Sequence, residues 1–254
     1  MTTGNKNATP LPPHPDLPKY YSGRSAREPF VRRIFDETAI WYERLDGVVS
    51  FGQGVTYRRE ALQRVGFPAG ARLLDVATGT GIVARAAASL GDARDIVGLD
   101  PSMGMLLAGR RENLTAAVQA FGETLPFRDS TFDLISIGYA LRHLPDLRMA
   151  FREFYRVLRP GGRLLILEIT KPKSKFGNLI LGAFMGGVVP VAARVLTSSR
   201  DAATLMRYYW ETTRDCVPPE TIMAALRDVR FAGVQHSTRY GIMTDYSAVR
   251  GRNG

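Results

Sequence analysis

The chain has 254 residues, 45% of them hydrophobic, enough for one large α/β domain with appendages or for two small domains. Its single cysteine, Cys216, excludes an intrachain disulfide and a multi-cysteine metal site, and points to a reducing compartment. A net charge of +10 suits nucleic acid, an anionic membrane surface or an anionic ligand, but no basic run with interleaved aromatics forms a nucleic-acid motif. His14, His143 and His236 lie far apart without ligand spacing, so no metal site is expected. No apolar run opens the chain, which argues against a secretory signal.

Residues 1–22 are polar and rich in proline and read as a disordered arm. Apolar positions from Phe30 to Leu45 predict a helix from Pro29, and a second is expected over 55–65, closed by Gly66 and Pro68. Strands and helices then alternate, the pattern of a mainly parallel, doubly wound sheet. Strands are predicted over 72–77, 95–100, 117–121, 132–137 and 163–169, with a helix over 147–158 before the break at Arg159-Pro-Gly-Gly162. Residues 176–193 carry no charge, but Asn178, Pro190 and several glycines make a lid over an apolar pocket the better reading than a membrane span. The surrounding segment, Lys171 to Arg214, holds seven basic and two acidic residues. Apolar surface with net positive charge fits a peripheral membrane contact, while a generally basic soluble enzyme is the plain alternative. An aromatic helix face, Tyr208-Tyr-Trp210, a helix over 219–229 and two strands around Gly241 complete the chain.

The functional centre is Leu74-Asp-Val-Ala-Thr-Gly-Thr-Gly81, a strand, a glycine turn and a helix start. Gly79 and Gly81 permit a sharp turn and close approach to a ligand, toward which N–H groups at the helix start would point. Gly79-x-Gly81-x-x-Ala84, with Asp100 at the end of the next strand, also fits the loose dinucleotide pattern, so a nicotinamide cofactor is one reading. Ligands of open α/β sheets bind beyond the carboxyl ends of the strands. That rule gathers Asp75, Thr78, Gly79, Asp100, Gly122, Gly138, Tyr139 and Glu168 around one crevice. Asp100 is placed to accept both hydroxyls of a ribose, and Asp100 followed by Pro101 also reads as a helix N-cap.

These residues bring the chain close to a known family. The glycine turn, Gly-Leu-Asp100 and Val-Leu-Arg-Pro-Gly-Gly162 resemble the motifs of class I S-adenosylmethionine (SAM) methyltransferases. Ser-Phe-Gly52, Gly-Glu-Thr-Leu-Pro-Phe127, Ala-Leu-Arg-His143, Leu-Glu-Ile-Thr-Lys-Pro172 and Tyr-Tyr-Trp-Glu-Thr212 resemble the ubiquinone/menaquinone-biosynthesis C-methyltransferases over about residues 30–245. The resemblance implies one α/β domain from residue 23 onward, with a Rossmann-like seven-stranded sheet whose last strand is antiparallel. A helical N-terminal cover and an apolar lid over about 171–214 complete that expectation. SAM is then held by Asp75, Thr78, Gly79, Gly81 and Asp100, with Pro101 or Met105 beside the adenine, Gly122 and Glu123 at its edge, and Gly138 nearby.

Methylating a ring carbon requires an electron-rich carbon in line with the methyl group and removal of a proton from a neighbouring phenol. Arg142 matches the family arginine and, being permanently charged, would stabilise phenolate or orient water. His143 stands where the family has asparagine and is read either as a base or as a neutral hydrogen-bonding residue. Tyr139 and Tyr208 would orient the acceptor ring or serve in packing. Phe121, Gly138, Tyr139 and the C-terminal strand depart from the family pattern. A specialised-metabolite O- or N-methyltransferase is therefore the alternative, followed by a nicotinamide oxidoreductase and a non-catalytic SAM-binding relative. The expected acceptor is a small, flat, hydrophobic aromatic molecule, the expected compartment the cytoplasm or the membrane periphery, and the oligomeric state is not legible in the sequence.

Overall fold

The structure is a computed structural model that describes residues 9–252 except positions 51, 67, 92, 113 and 115. Residues 1–8 of the arm and Phe51 of the Ser-Phe-Gly52 motif lie outside the described residues. The strands are β1 (Ala71–Val76), β2 (Ala93–Asp100), β3 (Ala117–Gln119), β4 (Phe132–Gly138), β5 (Leu158–Ile169), β6 (Phe231–Arg239) and β7 (Met243–Arg250). They form one seven-stranded sheet in the order β3-β2-β1-β4-β5-β7-β6. The strands β1 to β5 are mutually parallel, and β7 runs antiparallel to both neighbours. The last strand is antiparallel, as expected.

Alternation along the strands builds a core on each face. Leu73, Leu134 and Leu165 face one layer of helices, while Leu74, Ile135 and Ile166 face the other. The first layer contains α3 (Gly54–Val65), α4 (Ile82–Ala88), α7 (Lys175–Ala183), α8 (Val189–Thr197) and α9 (Arg200–Arg214). The second contains α6 (Leu147–Val157) and α10 (Pro219–Asp228). The chain moves outward from β1 through β2 to β3, then returns to place β4 on the other side of β1. That reversal opens a crevice beyond the carboxyl ends of β1 and β4, where open α/β sheets bind ligands.

The N-terminal cover is α1 (Arg24–Thr38), a single 3₁₀ turn (Ala39–Trp41) and α2 (Tyr42–Val49). Helix α1 begins upstream of Pro29, where the sequence places its start. Tertiary contacts explain the extension: Arg27 is buried and its Nη2 donates to the carbonyl oxygen of Arg142 at 3.0 Å. Helix α5 (Met103–Arg111) is capped by Ser102, whose Oγ accepts the Met105 N–H at 3.1 Å, and not by Asp100. Asp36 of α1 accepts hydrogen bonds from Ser102 Oγ and Gly104 N, fastening the cover to α5.

The arm does not behave as its proline content predicts. From residue 9 it is a strap laid against the domain. The Leu11 carbonyl accepts from Leu147 N at 3.0 Å, the Pro13 carbonyl accepts from Val217 N at 2.8 Å, and Leu17 and Tyr21 are buried. Proline limits the entropy the strap loses on docking, since its φ is fixed before folding. Buried His14 makes its Nδ1 contact with the Pro15 carbonyl at 2.6 Å and its Nε2 contact with Arg27 Nη2 at 3.2 Å. Arginine can only donate, so Nε2 must be the acceptor and the imidazole neutral.

Burial lowers the His14 pKa from 6.5 to about 4, with the charges of Arg27 and Arg142 adding to the effect. The unfolded chain protonates His14 near 6.5 and the folded chain only near 4, so the unfolded state binds more protons between those values. Stability carried by His14 is therefore complete above pH 6.5 and falls as the pH is lowered through that window. His14→Gln should lose this dependence. Urea unfolding at pH 7 and pH 4.5 should show wild type losing about 2 kcal/mol more than the variant between the two conditions.

Candidate active site

The turn after β1 is held from beneath by Asp75. Its two carboxylate oxygens accept from Thr78 Oγ1 and Ser136 Oγ, each at 2.6 Å, and the side chain is buried. Burial raises its pKa to about 6, opposed by those two hydrogen bonds. Asp75 therefore shapes the turn and keeps Thr78 in place. Gly81 has φ 87° and is the N-cap of α4. Its conformation favours glycine, and a Cβ there would sit tightly against Leu114 at 3.2 Å. Gly79, also at positive φ, has only the Tyr42 ring nearby, 3.9 Å from where a Cβ would sit.

Asp100 joins this turn to the next strand. Its Oδ2 accepts the Gly79 N–H and its Oδ1 accepts the Ser102 N–H, both at 2.8 Å. Burial raises its pKa to about 6, while the two backbone hydrogen bonds oppose the rise. The carboxylate is thus fixed, and each oxygen keeps a lone pair for a further donor. Pro101, Gly122 and Glu123 line a cavity of about 260 Å³ that also touches Val76, Ala77 and His143. Burial raises the Glu123 pKa. The opposite wall is formed by the strap and α1, with Asp16, Arg27 and Val31. Met105 is buried in α5, and Gly138 ends β4, where a Cβ would come within 2.8 Å of Val83. A fixed carboxylate beside a glycine turn and a cavity at Pro101 and Gly122 fit a ribose joined to a flat base.

The catalytic candidates meet at the end of β4. Arg142 is completely buried and its Nη1 donates to Glu168 Oε2 at 2.6 Å. Glu168 Oε1 accepts the Leu141 N–H at 3.0 Å. Burial drives the Glu168 carboxyl upward and the guanidinium opposes it, while the carboxylate keeps Arg142 charged. The guanidinium also lies 3.8 Å from the centroid of the Tyr209 ring. His143 stacks on Tyr208 at 5.6 Å between centroids and meets Phe35 edge-on at 5.2 Å. Both His143 ring nitrogens are screened from solvent without a hydrogen-bond partner among the described residues. Burial first, and the charges of Arg142 and Arg27 next, hold its pKa well below 6.5. The imidazole is neutral and carries an acceptor lone pair that no described residue uses.

Tyr139 adopts φ 59°, unusual for a bulky residue, while its N–H donates to the Leu167 carbonyl at 2.7 Å. Its ring lies under Arg58, 4.6 Å from centroid to guanidinium carbon, and Arg58 is clamped by both oxygens of Asp46. Arg27, Tyr42 and Arg58 have no motif that marks them in sequence, whereas Tyr209 lies within Tyr-Tyr-Trp-Glu-Thr212. The twelve-residue spacing from Asp46 to Arg58 bridges two helices and is no local signal. Arg142 and His143, adjacent in sequence, take different positions: His143 borders the cavity, whereas Arg142 lies behind it in the ion pair.

The model of the ubiE/COQ5 methyltransferase family matches residues 23–250. A demethylmenaquinone methyltransferase of Corynebacterium efficiens is 33% identical over 230 residues, covering 89% of this chain and 97% of the relative. A ubiquinone/menaquinone biosynthesis C-methyltransferase of Pectobacterium carotovorum is 32% identical, covering 84% and 87%. Among solved structures, a SAM-dependent methyltransferase of Thermotoga maritima, described as a possible histamine N-methyltransferase, superposes with TM-score 0.62 at 18% identity, covering 86% of this chain and 99% of that one. Phosphoethanolamine N-methyltransferase 2 of Haemonchus contortus, in complex with S-adenosyl-L-methionine, gives 0.64 at 18% identity, covering 90% and 61%.

Removing the carboxylate in Glu168→Ala leaves the Arg142 charge buried without its counter-ion. Chemical denaturation should show a loss of about 3–5 kcal/mol. A loss within about 0.5 kcal/mol, ordinary for a surface change, would contradict the pairing described above.

Proposed function

The chain belongs to the ubiE/COQ5 methyltransferase family and is a SAM-dependent methyltransferase, and we propose that its acceptor is a flat, apolar phenol of quinol type, methylated at a ring carbon. The nicotinamide reading of the glycine turn falls with the family assignment. The observation that carries the acceptor assignment is His143: a neutral imidazole at the cavity wall, its acceptor lone pair unused, stacked among aromatic rings and next to a permanently charged arginine.

In this reading the Gly79–Gly81 turn and Asp100 hold the methionine and ribose parts of SAM, Asp100 accepting the ribose hydroxyls. Pro101, Gly122 and Glu123 surround the adenine, with Thr78 and Gly138 supporting the turn and Met105 behind Pro101. When bound, SAM supplies a methyl group on a sulfonium, already a good electrophile. The residues of this chain have the task of orienting the acceptor and withdrawing a proton. His143 accepts the hydrogen bond of the ring hydroxyl through its free nitrogen. The fixed positive charge of Arg142 favours the developing phenolate, which raises electron density at the neighbouring ring carbon. Arg142 has no freedom to act as a base, since Glu168 keeps it protonated. Tyr208 holds the His143 ring in plane, and Tyr139, pinned beneath Arg58, bounds the acceptor side. The strap and α1 supply one wall of the cavity and so reduce the water around these groups, which strengthens their interactions. The enzyme works in the cytoplasm on a molecule that partitions into lipid.

Two variants test the assignment. Asp100→Ala should weaken SAM binding, read by calorimetry, on the order of 10- to 100-fold, as expected for losing a charged hydrogen-bond acceptor. His143→Ala should keep SAM affinity and lower kcat for a demethylated quinol by roughly 100-fold or more. Unchanged kcat in His143→Ala would remove His143 from proton transfer.

A further inference from the structure

Helices α7 and α8 join through a π-helical turn, Phe184–Val188, into one run from Lys175 to Thr197 that is long and apolar enough to cross a membrane. One face of the run is fixed within the domain. Leu181, Met185, Val189 and Ala193 recur every four residues and are buried. Gly182 and Gly186 let the run approach Trp210 of α9, since a Cβ on Gly186 would come within 2.8 Å of the indole. The opposite face is apolar as well, yet it points outward: Phe176 is 72% exposed, Leu179 70%, Val191 62% and Val195 72%. More than half of the exposed large apolar side chains among the described residues lie on this one segment.

Charge decides what covers this face. Lys171, Lys173 and Lys175 are exposed at the start of the run, and Arg194 and Arg200 are exposed at and beyond its end. No Asp or Glu occurs between residues 170 and 200. A second copy of the chain, docked about a two-fold axis, would set this basic rim against an identical one without an acid of the segment to pair it. An anionic bilayer supplies both partners, acyl chains for the apolar ridge and headgroups for the rim. We infer that the outward face of α7–α8 docks this enzyme on an anionic phospholipid bilayer, lying in the interface without spanning it. The run rests on α9, which carries Tyr208 and Tyr209 to the active site, so docking places the acceptor site one helix from the lipid. The inference deepens the acceptor reading above, because an apolar phenol reaches the enzyme from lipid; its physical support is the surface itself.

The test is co-sedimentation of the full-length protein with vesicles of phosphatidylcholine, either pure or with about one-third phosphatidylglycerol. Wild type should bind the anionic vesicles, bind the neutral ones far more weakly, and be released by high salt. Replacing Lys171, Lys173 and Lys175 by Gln should weaken anionic binding on the order of 100-fold. Leu179→Glu with Val195→Glu, both exposed positions, should abolish it. SAM affinity by calorimetry should be the same in all three proteins, which separates a failure of docking from a failure of the methyltransferase site. Wild type that ignores anionic vesicles, or variants that bind as well as wild type, would overturn the inference. So would a wild-type dimer that the Leu179→Glu/Val195→Glu variant converts to a monomer, since the face would then belong to a second copy.

Discussion

The buried ion pair between Arg142 and Glu168 is the contact on which the other parts of the site depend. Both partners have left water, and a buried pair of this kind contributes little net stability compared with apolar packing. Its value is positional. Glu168, at the end of β5, fixes the guanidinium and the backbone of the turn after β4 together. The carbonyl of Arg142 then accepts from Arg27, and Arg27 holds neutral His14 of the strap. One charge pair thereby connects the sheet, the helical cover and the arm that lines the cavity. His143 follows Arg142 in the chain and takes its orientation from the same turn.

The cofactor side of the crevice obeys a separate constraint. Asp75 and Asp100 are both buried carboxylates, but their oxygens are used differently. Asp75 accepts from two side-chain hydroxyls beneath the turn and is the more deeply buried of the two acids. Asp100 is held by two backbone N–H groups and stands at the edge of the next strand. Two acids that look alike in the sequence thus divide the work, one shaping the loop and the other remaining able to meet a ligand. The side of the crevice around His143 is built from aromatic rings and the guanidinium groups of Arg142 and Arg58, paired with Glu168 and Asp46. In the proposed reading such surroundings would orient a flat phenol and favour its anion without the site having to reorganise during the reaction.

Much of the architecture was legible in the sequence, because parallel strands buried on both faces read as apolar runs and glycine or proline marks their ends. The turn around Gly79 and Gly81, Asp100 at the end of β2 and the C-terminal strand pair were readable for this reason. The helix cap at Ser102 was assigned two residues early, since Asp100-Pro101 satisfies the same local rule. The strap was not readable: its proline content matches that of unfolded chain, and its anchors at Leu147 and Val217 are distant in sequence. The same limit concealed Arg27 and Arg58. An isolated arginine in a helix has the pattern of a surface residue, and only the three-dimensional approach of His14 and Asp46 shows otherwise. The sequence singles out Arg142 and His143 as adjacent candidates, but their division into a buried charge and a cavity-facing neutral ring required the fold.

The central claim is methyl transfer to carbon on a quinol-type acceptor. The most direct measurement supplies the purified protein with SAM carrying an isotopically labelled methyl group and a short-chain demethylated quinol, then locates the label in the product by NMR. The account predicts a new methyl group on a ring carbon beside a hydroxyl-bearing carbon. Label found on oxygen, or no labelled quinol while SAM binds normally, would contradict it.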